Sequence, residues 1–177
     1  SFCFTYVFAH AGHDGERQAG LGFCMGREPA ELDPAQAGRE AAEKACALLG
    51  ARPCPTGLYT VVFDREVAAA LLAAVVSALS ADAVQKGRSI FAGKLGEMLA
   101  SPLLSVFDDG LAARGIATNP FDGEGVPQQI TTLFDHGVLR SYLHSSYTAR
   151  KEGGEVRSTG NAGRASYRGV PGVRATN

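Results

Sequence analysis

The sequence predicts an α+β fold, a mixed and largely antiparallel sheet with packed helices. Three observations support this. Aromatic and β-branched runs bounded by Gly, Asp or Pro recur at 2–8 (FCFTYVF), 58–63 (LYTVVF) and 128–134 (QQITTLF), and such runs read as strands. Two longer stretches, 33–49 and 64–79, start at an Asp and carry helical apolar spacing. The two kinds of element are interspersed without the regular βαβ beat of a parallel sheet. At 177 residues and 45% hydrophobic, the chain can bury one real core and at most two lobes.

Taken in order, Phe2 to Phe8 and Leu21 to Glu28 form an expected antiparallel pair across the turn-rich stretch AHAGHDGERQAG. Asp33-Pro34-Ala35-Gln36 is a helix start, because Asp33 can cap, Pro34 suits the first helical position and Gln36 can reach back. That helix is expected to stop at Gly50, with Ala37, Ala41, Ala45, Leu48 and Leu49 facing inward, and Cys46 beside Ala42 and Leu49 as a small buried thiol. Pro53, Pro55 and Gly57 break the chain before an expected strand, Leu58 to Phe63, and Asp64 caps the next helix. Further on, a short helix is expected over Leu95 to Ala100 and a strand over Leu103 to Asp108. A hairpin joins Gln128–Phe134 to Val138–Leu143 through Asp135-His136-Gly137, and a short helix is expected over Ser145 to Lys151. The Gly-, Ser- and Arg-rich remainder reads as irregular.

The stretch from Val67 to Leu79 is apolar apart from Ser77. As a helix it spans about 20 Å, short of the roughly 30 Å hydrocarbon layer of a bilayer. A buried core helix is therefore expected, and no membrane association. A metal site needs lone-pair side chains such as His, Cys or carboxylate, and this stretch offers only Ala, Leu, Val and one Ser. The opening residues lack the basic-then-apolar pattern of a secretory leader. Ser at the first position and Ala-Thr-Asn at the end carry no terminal signature, so the sequence reads as a piece of a longer protein.

Charge is uneven. The formal net charge is −1, yet residues 140–177 carry Arg140, Arg150, Lys151, Arg157, Arg164, Arg168 and Arg174 against only Glu152 and Glu155. A basic end of this kind can attract an acidic partner, but it equally suits a solvated surface or pairing within an otherwise acidic chain. The four cysteines, Cys3, Cys24, Cys46 and Cys54, show no Cys-x-x-Cys spacing and are expected to be reduced and structural. His10-Ala11-Gly12-His13 tempts as a metal pair, but two ligands do not make a site. Neither a nucleophile elbow nor a phosphate-binding loop occurs, and Gly20-Leu21-Gly22 misses the dinucleotide fingerprint by spacing. Asp108-Asp109 and the Asp122/Glu124 pair sit in turns, where carboxylates commonly cap backbone amides.

Four stretches in series resemble the TldD/PmbA family, also described as modulators of DNA gyrase. They are GRSIFAGKLGE at 87–97, NPFDGEG at 119–125, Gly137-Val138-Leu139 with Tyr142-Leu143, and STGNA at 158–162. Their order and spacing match over roughly residues 40–177. The resemblance implies that 1–57 is the end of an N-terminal α/β region (a strand pair and a helix), and 58–177 the start of the family's central and C-terminal α+β region, truncated. It also implies two kinds of subunit that form a heterodimeric metallopeptidase. The TldD kind carries a His-Glu-x-x-x-His helix; the PmbA or TldE kind does not. Aligning the Lys86-Gly87 segments puts the first His at Leu72, the Glu at Ala73 and the second His at Ser77. The chain therefore resembles the PmbA/TldE kind.

Under that resemblance the chain carries no catalytic residue and no metal ligand of its own; zinc belongs to a TldD-like partner. The function implied is cytoplasmic proteolysis of unstructured peptides and peptide maturation. Asp122, Glu124, Thr159 and Asn161 are the expected substrate-binding residues. Sheet edges flanking Asp135 to Val138 are expected to hold an extended peptide. Partners are a TldD-like subunit and a peptide, with no membrane and no nucleic acid. The alternative is an interaction protein that modulates DNA gyrase or another partner through its basic end, without a protease role. Histidines five apart on a regular helix lie about 140° apart around its axis, so both can reach one ion only if the helix is distorted. Without them a regular, buried helix is expected at 67–79.

Overall fold

The opening aromatic run forms β1 (Cys3–Ala11), which pairs along its whole length with β2 (Gln18–Gly26) in an antiparallel ribbon. The computed structural model describes residues 2–13 and 15–177, so Asp14, within the expected turn, lies outside the described residues. The chain divides into two compact units, Ser1–Val61 and Val62–Asn177.

In the first unit, α1 (Pro34–Ala47) begins as the sequence predicts, with the Asp33 side chain accepting from Gln36 N at 2.8 Å. Ala37, Ala41 and Ala45 are buried, one helical turn apart. They face Gly20 and Gly22 of β2, and here the spacing of those glycines acquires its meaning. A Cβ on Gly22 would lie 1.8 Å from the carbonyl oxygen of Ala37, and one on Gly20 would lie 2.1 Å from that of Ala41. Small residues on both surfaces let helix and ribbon backbones touch. Leu48, Leu49, Ala42 and Cys46, expected inward, are exposed. The strip that packs on the ribbon is only as wide as the three alanines, and the helix end runs past it. Phe4, Tyr6, Phe8 and Phe23 occupy the opposite ribbon face, exposed, with neighbouring rings about 6 Å apart (5.9 Å for Phe4 and Phe23). The expected strand at 58–63 does not form: the segment has no regular structure, pairs with no strand, and leaves Leu58 and Val62 almost wholly exposed. Strand propensity fits a pleated, half-buried surface, and no neighbour offers one here.

The second unit begins with α2 (Arg65–Ala78), capped by Asp64, whose Oδ1 accepts from Glu66 N and Val67 N at 2.9 Å. The helix is uninterrupted, as expected, but it is not buried. Val67, Leu71, Leu72 and Val75 keep 45%, 50%, 41% and 39% of their surface. Only its C-terminal end reaches the core, through Val76 and Leu79. The short α3 (Ala81–Gln85) follows, joined to Leu143 through Ala81 N to Leu143 O and Leu143 N to Leu79 O.

The sheet of this unit has the order β3-β4-β5, with β3 (Val106–Asp109), β4 (Ile130–Asp135) and β5 (Val138–Leu139) all antiparallel. Its hairpin turn is His136-Gly137, with φ of 45° and 81°, the paired positive values that match strand twist. The expected helix at 95–100 is absent. Its backbone instead lines the outer edge of β5: Gly96 N donates to Leu139 O, Leu139 N to Glu97 O and Leu99 N to Gly137 O. Gly93 and Gly96 take positive φ, which no helix interior tolerates. The same pairing covers the edge near Val138 that had been expected to receive a peptide. Leu79, Leu133, Phe134, Leu139, Tyr142 and Leu143 form the core, with Phe91 set edge-on to Phe134. Next comes α4 (Ser146–Glu152), held by a Ser145/Thr148 capping box. The chain ends with the two-residue pair β6 (Ala162–Gly163) and β7 (Gly172–Val173). The α+β class expected from the sequence is the observed one.

Replacing Gly22 with Ala forces its new methyl into the Ala37 carbonyl, so Gly22→Ala should destabilise the first unit by about 1–3 kcal/mol. A lowered urea midpoint followed by circular dichroism checks this.

Candidate functional site

Two features of the second unit bear on function: a buried polar chain and a cleft along α2. The polar chain starts at Asp108 on β3, which is only 3% exposed. A buried carboxyl group must find partners for its oxygens. Oδ1 accepts from Thr176 N, while Oδ2 accepts from Thr176 Oγ1 at 3.0 Å and from Asn161 Nδ2 at 2.7 Å. Asn161 Nδ2 also donates to Arg174 O, and Asn161 Oδ1 accepts the Thr159 hydroxyl at 2.6 Å. Thr159 Oγ1 in turn accepts from His144 N at 2.8 Å. The chain thus ties β3, residues 159–161, residues 174–176 and the entry to α4 into one object.

Beside it, Asp122 is buried and accepts three backbone N–H bonds: from Glu124 and Val126 through Oδ1, and from Ala162 through Oδ2. A carboxylate has about four acceptor sites, so most of its capacity organises the 119–127 loop and anchors it to β6. Glu124, half-buried, accepts from Ser146 N at 2.8 Å through Oε2. The four residues singled out from the sequence are therefore brought into one region. Thr159 and Asn161 touch directly, Asp122 bonds the residue after Asn161, and Glu124 bonds the first turn of α4, two residues past His144. Three of the four are buried, with their polar atoms engaged inside the protein.

His144 was the residue that sequence reasoning passed over, since no local partner marks it. It is buried, and among the described residues its Nδ1 has no hydrogen-bond partner. Burial pushes its pKa below the usual histidine value, with Glu152 opposing weakly by charge. The only signal that could have found it is its contact with Thr159, which lies fifteen residues away in the chain. His136 sits on the exposed turn, and His10 is exposed on β1 opposite Ala19. Among the described residues, no three His, Cys, Asp or Glu side chains gather closely enough to hold a metal ion. All four cysteines are free, and Cys3 Sγ donates to Gly26 O at 3.4 Å. No helix of the described chain is long and apolar enough to cross a membrane. Several cations of the basic end are engaged locally: Arg140 pairs with Asp135 at 3.0 Å, Arg164 donates to Gly123 O and Gly169 O, and Arg168 stacks on Tyr167.

The cleft has a volume of about 410 Å³ and runs along α2, lined by Ala73, Val76 and Ser77 of that helix and, opposite, by Leu143, Val173 and Arg174 among others. Ala73 and Ser77 are the positions where the family resemblance puts the Glu and second His of a metal-binding helix. The Ser77 hydroxyl donates back to Ala73 O at 2.8 Å. Ala73 has no donor atom, and Leu72 has none. This set of side chains does not fit zinc, whose sites are built from imidazole, thiolate and carboxylate.

An α+β unit with a cleft along an apolar helix that offers the cleft no imidazole, thiolate or carboxylate is the setting in which the family likeness falls. Residues 56–177 match the PmbA/TldA metallopeptidase C-terminal domain, and the chain belongs to that family. It is 35% identical to Metalloprotease MJ0996 of Methanocaldococcus jannaschii over 99% of this chain and 39% of that protein. It is also 38% identical to a Metalloprotease TldD homolog of Haemophilus influenzae over 78% of this chain and 29% of that protein. Among solved structures, TldE from Thermococcus kodakarensis has the same fold, with a TM-score of 0.82 at 21% identity over 98% of this chain and 39% of that one. The chain thus spans well under half the length of these relatives.

Two predictions follow from the polar chain. Asn161→Ala removes a donor to Asp108 and an acceptor for Thr159, and should cost about 1–3 kcal/mol in urea unfolding. His144 should make stability fall with acidification. Its folded pKa lies below 6.5, so the unfolded chain binds the proton more readily, and stability drops as pH falls below about 6.5. That loss precedes carboxylate protonation near pH 4. Unfolding midpoints measured between pH 7 and pH 5 should slope less in His144→Gln than in the parent.

Proposed function

We propose that this chain is the non-metal-binding, TldE/PmbA-like part of a heterodimeric TldD/TldE metallopeptidase acting on unstructured peptides and in peptide maturation. The observation that carries this reading is the helix that flanks the cleft: Leu72, Ala73 and Ser77 stand where the catalytic kind of subunit is expected to carry His, Glu and His, and the Ser77 hydroxyl is bonded to its own helix. Overall identity does not separate the two kinds, since TldD homologs are matched too; the donor chemistry of the helix does. On this reading zinc, which would act as Lewis acid and activate water, is held by a TldD-like partner. The present chain shapes the chamber in which the peptide lies. Asp122, Thr159 and Asn161 serve by fixing the loops that wall it, and Glu124 has a carboxylate oxygen left over to meet a peptide amide. The assembly is placed in the cytoplasm, with 1–57 as the end of an N-terminal region and 58–177 as the start of the central and C-terminal one.

Co-expression with a TldD-like protein carrying an intact His-Glu-x-x-x-His helix tests the proposal. The purified pair should contain zinc in proportion to the partner and cleave an unstructured peptide, whereas this chain alone should do neither. Stoichiometric zinc in the isolated chain, or peptide turnover by it, would overturn the reading.

A further inference from the structure

We propose that the α2 cleft binds a peptide carboxylate carried on an aliphatic stem. A volume of about 410 Å³ is within the range of small-ligand pockets, which combine an apolar lining with a few polar groups. The apolar part includes Ala73, Val76, Leu143 and Val173; the polar part includes Ser80, Asp82, Arg88 and Arg174.

The charge balance of these groups favours an anion. Asp82, also on the rim, is shared by two cations: Lys86 Nζ at 2.8 Å and Arg88 Nη2 at 3.2 Å. One carboxylate facing two cations leaves a positive charge over. Arg88 makes no other side-chain bond among the described residues, so its Nε and Nη1 donors remain available. The Arg174 guanidinium has no hydrogen-bond or ion-pair partner among the described residues. Its Cγ, Cδ and Nε lie against the backbone of Gly163, where a Cβ would come within 2.3 Å of Nε. Ser80 precedes α3 but its hydroxyl makes no capping bond, leaving it free to meet a ligand. Guanidinium groups suit carboxylates because paired N–H donors match paired oxygens. An inorganic anion would leave the apolar side chains unused, whereas a peptide residue with an aliphatic stem engages both halves of the cleft. The inference rests on the proposed function only in taking the ligand to be a peptide.

The carboxylate can be a peptide C-terminus or an acidic side chain, and three probes separate them. These are N-acetyl-Ala-Val-Leu with a free C-terminus, its C-terminal amide, and N-acetyl-Ala-Val-Glu amide. Titrated into the full chain at low salt with calorimetric or NMR readout, at least one carboxylate peptide should bind about fivefold more tightly than the uncharged amide. The better of the two names the source. That preference should shrink at high salt and be lost in Arg174→Gln and in Arg88→Gln, while Arg168→Gln, outside the cleft, keeps it. If Arg88→Gln fails to fold, Arg174→Gln and the salt dependence decide. Equal binding of acid and amide, no saturable binding by any probe, or a preference that survives loss of Arg174 would overturn the proposal. Such a failure leaves zinc content and cleavage by the pair untouched, so the two readings fall separately.

Discussion

Burying Asp108 is the constraint on which the second unit depends. A carboxyl group at 3% exposure cannot be left without partners, because desolvation without hydrogen bonds costs several kcal/mol. No neighbour in sequence supplies them. The partners come from Asn161 and Thr176, fifty-three and sixty-eight residues away, and to reach β3 these must draw the Gly- and Arg-rich end of the chain back against the sheet. Asn161 then fixes Thr159, Thr159 receives the backbone of His144, and α4 starts at a defined place. A region without long strands or helices is in this way held by side chains. Networks of this type give a unique arrangement when every member is satisfied, and among the fully buried side-chain N and O atoms of the described residues only His144 Nδ1 and Thr131 Oγ1 stand without partners.

The α2 helix shows the opposite arrangement, a regular helix with few polar groups. Unpaired imidazoles along a cleft would carry a desolvation cost and a reason to bend the helix. Ala73 and Ser77 carry neither, and the helix runs unbroken from its Asp64 cap to Ala78. What apolarity did not secure is burial. Leu71 and Leu72 show that a greasy helix packs only where a surface meets it. The cleft that remains has an aliphatic floor, with Asp82, Arg88 and Arg174 among its charged lining.

Legibility in the sequence divided along physical lines. Caps and tight turns were readable because their determinants are adjacent: Asp33 with Gln36, Asp64 at the start of its helix, and His136-Gly137 between alternating strands. Two expected elements did not form. Leu58 to Phe63 has strand composition but no partner strand, and Leu95 to Ala100 has helical composition but lies beside β5, where edge pairing outweighs propensity. Of the candidate site, the four polar residues of the family-like loops could be named from motifs. Their joint location, and the place of Asp108 and His144 beside them, could not.

The sequence by itself determined the α+β class, the family, the start of each capped helix, and the absence of metal donors at Leu72, Ala73 and Ser77, since each of these depends on residue identity or on neighbours within one turn. Only the tertiary structure decided which alanines of α1 meet Gly20 and Gly22, which atoms satisfy Asp108, why burial lowers the pKa of His144, and that Ala73, Ser77, Arg88 and Arg174 border one cleft. Those relations join residues tens of positions apart, and chain entropy makes such contacts a property of the folded whole rather than of any segment.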